Sequence, residues 1–155
     1  MESENETPAA DFPRVLAEHG YLMHNTTGYS MYPLLRHHKD VVKIVPATGK
    51  LKKWDTALYI RRADGAYILH RVIKVNKDGG YVFSGDNCCY KEYGITDADI
   101  VGVLDAIVRN GKTISVHSRG YRFYVFLRCG SFPLKVCVNK CISLARAVKR
   151  RLTKQ

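Results

Sequence analysis

The chain is 155 residues long, 46% hydrophobic and 25% charged, with ten tyrosines and five phenylalanines. That size gives one domain with room for a small appendage and a core that needs no disulfides, and the aromatic content excludes a disordered chain. The net charge of +11 is far from balanced, while no run of 18 apolar residues occurs, so an anionic partner is expected and a membrane-spanning helix is not.

Met1 to Ala10 is polar and acidic and reads as a disordered leader, the opposite of a secretory signal. Asp11 can cap a short helix with Pro13 in its first turn, running to His19 and closed by Gly20. Tyr21 to Thr26 reads as a strand entering the turn Thr27-Gly28-Tyr29-Ser30-Met31-Tyr32-Pro33, where Ser30 to Leu35 could form one helical turn. His37 and His38 follow in a basic loop and are expected to be solvated. Val41 to Val45 is a strand stopped by Pro46. Thr56 to Arg62 and Tyr67 to Val75 form a hairpin about Asp64-Gly65. Alternation along the second strand puts Ile68, His70, Val72 and Lys74 on one face and Leu69, Arg71 and Ile73 on the other. Asp78-Gly79-Gly80 turns into a strand from Tyr81 to Ser84, and strands from Ile100 to Val108 and from Lys112 to His117 flank Asn110-Gly111. Short strands at this spacing predict a mainly β, coiled antiparallel fold.

The expected organisation is a leader (1–10), a catalytic domain (11–118) and a basic amphipathic helical tail (119–155). Residues 1–105 hold 13 basic and 14 acidic side chains, whereas residues 106–155 hold 12 basic side chains and no acidic one. Tyr121 to Arg128 is aromatic and basic, and Gly130 to Pro133 interrupts it. Leu134, Val138, Cys141, Ala145, Val148 and Leu152 then recur at helical spacing with Lys and Arg between them. Such a helix can adsorb to anionic lipid or pack its stripe on the β core. Five cysteines, an odd number, and the absence of a signal peptide point to a reduced, cytoplasmic setting, with peripheral membrane contact as a further option.

Ser30, His70 in Leu69-His70-Arg71-Val72-Ile73, and Asp86 in Gly85-Asp86-Asn87 supply a nucleophile, a base and a carboxylate, the three groups of a triad hydrolase. Arg71 reads as one half of a structural salt bridge. Cys88-Cys89 lacks the Cys-x-x-Cys and histidine spacing of a zinc site, and Cys137 and Cys141 read as small apolar packers. No glycine-rich phosphate loop is present, so neither cofactor nor metal is expected.

Ser-Met-x-Pro, then His-Arg-Val-Ile, then Gly-Asp-Asn, in this order from Gly28 to about Leu104, resembles the catalytic core of the signal peptidase I and LexA-repressor superfamily of serine peptidases. Histidine before Arg71 makes it similar to the endoplasmic-reticulum and archaeal type of signal peptidase rather than the lysine type. The resemblance implies the β-fold of that catalytic domain, Ser30 as nucleophile, His70 as base and Asp86 as orienting acid. Glu92, Asp97 and Asp99 stay open as a further acid. It also implies a peptide or protein substrate, bound extended along a strand edge and cleaved after a small residue. The alternatives are a non-catalytic β-module docking on an anionic membrane or nucleic acid, the latter the less expected partner, and a LexA-like self-cleaving regulator. The 29 residues before Ser30 are too few for the DNA-binding unit and cleavage loop that such a regulator needs.

Overall fold

The computed structural model describes residues 11–130. Two helices, α1 (Phe12–His19) and α2 (Arg119–Gly130), flank eight strands. In chain order these are β1 (Leu22–Asn25), β2 (Asp40–Val45), β3 (Thr56–Arg61), β4 (Ala66–Val75), β5 (Tyr81–Ser84), β6 (Glu92–Ile95), β7 (Ile100–Arg109) and β8 (Lys112–Ser115). They form one antiparallel sheet in the order β1-β2-β7-β3-β4-β5-β6, with β8 added to β7, curled into a half-barrel. The mainly β, antiparallel expectation therefore holds.

Local chemistry explains most boundaries. The Asp11 side chain accepts the Arg14 N–H, and Gly20, at φ 72°, closes α1 by donating to the Leu16 carbonyl. Gly65 at φ 70°, and Asn110 with Gly111 at φ 49° and 74°, supply the left-handed residues of two tight hairpins. Register slips between Lys43 and Ile44, between Leu58 and Tyr59, and between Val72 and Lys74 mark irregularities where the sheet bends.

Both faces of β3 are buried, because the curl leaves a core on each side. One core joins Phe12 and Leu16 of α1 to Met31, Val42, Ile44, Leu58, Leu104 and Ile107, and receives Tyr121 and Val125 of α2. The other packs Ala57, Tyr59, Val72, Tyr81, Phe83 and Ile95. α2, which opens the segment expected as a tail (119–155), thus packs on the sheet through Tyr121 and Val125. The leader (1–10) and the apolar stripe from Leu134 onward lie outside the described residues.

A buried ion cluster closes the loop after Ser30. Asp40, 1% exposed, accepts from both Arg36 and Arg109. Burial works against its charge, but the two guanidinium groups hold its pKa down to about 2. Among the described residues, no helix is long and apolar enough to cross a membrane.

Candidate active site

Ser30 lies in the turn between β1 and β2, and His70 near the middle of β4. The turn is shaped by Gly28 at φ 78°, whose N–H donates to His37 Nδ1 at 2.9 Å. His37 is half-buried and accepts this bond in an exposed setting, and His38 is exposed. Ser30 to Leu35 is a turn and not a regular helix, closed by bonds from the Tyr32 N–H to the Tyr29 carbonyl and from the Leu35 N–H to the Met31 carbonyl.

The Gly-Asp-Asn segment fastens this turn to the sheet. Asn87 N–H donates to the Ser30 carbonyl at 2.7 Å, and Asp86 N–H to Met31 Sδ at 3.4 Å. Met31, 4% exposed, anchors the turn in the core. Gly85 lies between serine and histidine. A Cβ there would stand 2.5 Å from the Ser30 carbonyl oxygen, 2.8 Å from Cys88 Sγ and 3.1 Å from His70 Nε2. The Ser30 backbone and the imidazole edge therefore face one another across a gap that admits no side chain. Gly85→Ala should force the serine turn away from the sheet. We expect at least a tenfold loss of any Ser30-dependent activity and a clear drop in Tm, read by thermal melting; a wild-type melt with wild-type activity would contradict this packing.

Ser30 and His70 line the same cavity. Among the described residues, neither the Ser30 hydroxyl nor His70 Nε2 takes a hydrogen bond, and the Ser30 N–H has no acceptor. Catalytic hydrogen bonds of this kind commonly form only with substrate bound.

The other ring nitrogen is held. Glu92 Oε1 lies 3.1 Å from His70 Nδ1, and Glu92 Oε2 accepts from the Tyr59 hydroxyl at 2.7 Å. Oε1 is buried and takes no hydrogen bond among the described residues, so its contact with Nδ1 is one of charge and proximity, while Nδ1 also lies 3.5 Å from the Tyr59 hydroxyl. A proton on Nδ1 would suit both the Glu92 charge and the Tyr59 hydroxyl, and would leave the Nε2 lone pair on the Ser30 side. The imidazole is 2% exposed, and this burial lowers its pKa below the usual histidine value, while the Glu92 charge pulls it back up.

Asp86 does not fill the orienting role expected of it. Its carboxylate pairs with Arg71 through two bonds of 2.7 and 2.8 Å, and its Oδ2 also accepts from the Tyr124 hydroxyl at 3.0 Å. The physical reason is strand alternation: Arg71 and His70 point to opposite faces of β4, and Asp86 lies on the Arg71 side. Asp97 accepts from the Tyr81 hydroxyl, and Asp99 pairs with Arg62 at 2.6 Å, so neither reaches His70. Of the four acids left open by the sequence, Glu92 is the one at the imidazole. Arg71 is the structural ion-pair partner expected. Tyr59, which fixes Glu92, carried no sequence signal.

Among the described residues no group of three His, Cys, Asp or Glu side chains could hold a metal ion. Comparison of the chain with protein-family models, with curated proteins and with solved structures finds no match.

Proposed function

We propose that this protein is a serine endopeptidase with the catalytic β-fold of the signal peptidase and LexA superfamily, acting through Ser30, His70 and Glu92. The observation that carries this is the half-buried Glu92 carboxylate 3.1 Å from His70 Nδ1, with Nε2 turned to the serine turn across Gly85. In the forward step His70 Nε2 takes the Ser30 proton as Oγ attacks the peptide carbonyl. The Ser30 N–H stabilises the oxyanion, and His70 returns the proton to the leaving amine. Water then attacks the acyl-serine by the same route. A free strand edge supports an extended substrate. β4 pairs with β3 along 66–71 but with β5 only from Arg71, so its first residues present an unpaired edge beside Ser30. A diverse mixture of synthetic peptides, incubated with the full chain and read by mass spectrometry, should yield internal cleavages; a folded protein that cuts none of them contradicts the proposal.

A second reading, contact with an anionic membrane, is favoured by α2, which exposes Phe123, Phe126 and Leu127 beside Arg119 and Arg122. It is compatible with catalysis. The full chain should co-sediment with phosphatidylglycerol-containing vesicles, detach from them as salt rises, and bind them at least tenfold more weakly on Phe123→Ser with Phe126→Ser. Equal binding to phosphatidylcholine alone would contradict it.

A further inference from the structure

The half-barrel holds a cavity of about 330 Å³, partly open to solvent, with Ser30 and His70 in its lining. Apolar side chains make up much of its wall, with Phe12 of α1, Leu22 of β1, Val42 and Ile44 of β2, Leu58 of β3 and Leu69 of β4. Polar groups, among them His24, Asn25, Thr26, Ser30 and Arg61, line it as well. An apolar cavity of about 150 Å³ already admits benzene. Protein interiors are otherwise packed to crystal density, because empty apolar volume forfeits dispersion contacts. A methyl group would leave most of this space to water against apolar walls, whereas a leucine, methionine or phenylalanine side chain would fill much of it.

Resting on the assignment of Ser30 as nucleophile, we propose that this cavity receives a bulky apolar side chain of the substrate, on a residue close to the scissile bond. The enzyme then selects large apolar residues there, in contrast to the small residue that the family resemblance implies. The free edge of β4 places an extended peptide across the mouth, so that one side chain in two points inward.

Peptidyl diphenyl phosphonates test this. Ser30 Oγ bonds to phosphorus, the P–O bond to phenol breaks, and His70 takes the serine proton. Probes carrying Ala, Leu or Phe in turn at the reactive residue and at each of the three before it are reacted with the full chain. Modification of Ser30 is timed by mass spectrometry. At one position Leu or Phe should react at least tenfold faster than Ala. Equal or faster reaction of Ala at every position, with Ser30 still modified, overturns the cavity's role and leaves the nucleophile standing. No modification of Ser30 by any probe overturns both. Leu69→Trp, at a half-buried wall, should lower the Phe-to-Ala rate ratio by about tenfold; an unchanged ratio contradicts the proposal.

Discussion

Ser30→Ala should lower kcat/KM on a cleaved peptide by about 10⁴- to 10⁶-fold while leaving Tm within about 2 °C of wild type. Ser30 is only partly buried and its hydroxyl makes no hydrogen bond among the described residues, so removing one oxygen disturbs little packing. His70→Ala should cost a similar factor in rate. The double variant should be scarcely worse than either single one, because nucleophile and base act as a unit. Multiplicative losses would mean that the two side chains do not share a step. The imidazole also makes a contribution to stability with a defined sign. Its folded-state pKa is depressed, so the neutral form is the folded form; the contribution is complete above about pH 6.5 and is lost as pH falls through the lowered value.

Glu92→Gln separates the two acids that flank the site. The amide cannot stabilise an imidazolium and permits the wrong tautomer, so kcat/KM should fall by about 10³- to 10⁴-fold. Glu92 raises the His70 pKa against the larger effect of burial. Without its charge the acid limb of the pH profile should move to lower pH. Asp86→Ala should behave differently. It leaves the Arg71 guanidinium, 1% exposed, without its bidentate partner, a loss of about 3–5 kcal/mol. For a chain of this size that is roughly 6–20 °C in Tm. Urea melts and pH profiles of the two variants, measured side by side, check the assignment. A large loss of stability in Glu92→Gln together with a mild one in Asp86→Ala would reverse it.

Much of this was legible in the residues. The hairpin turns at Asp64-Gly65 and Asn110-Gly111 need left-handed backbone, and the sequence places Gly or Asn there. Helix α1 follows from Asp11, Pro13 and Gly20. The alternation of β4 was readable, and it already contained the reason why an acid serving Arg71 could not also hold His70. Which acid took which partner was not readable, since Asp86, Glu92, Asp97 and Asp99 lie within 14 residues of chain and their facing depends on how β5 and β6 curl back. β6 itself carried no strand signal: it is four residues long, exposed at its two central positions, and contains Gly94 at φ 77°. The hydrogen bond from Gly28 to His37 joins residues nine apart through a loop without regular structure, where no periodicity predicts contact.

The most direct measurement is the rate at which a fluorophosphonate modifies the full chain as a function of pH, with the modified residue mapped by mass spectrometry. A working Ser30–His70–Glu92 arrangement predicts modification at Ser30, rising with a single midpoint below pH 6.5 and abolished in His70→Ala. Modification at another residue, or labelling of Ser30 that is indifferent to pH and to the loss of His70, would contradict it.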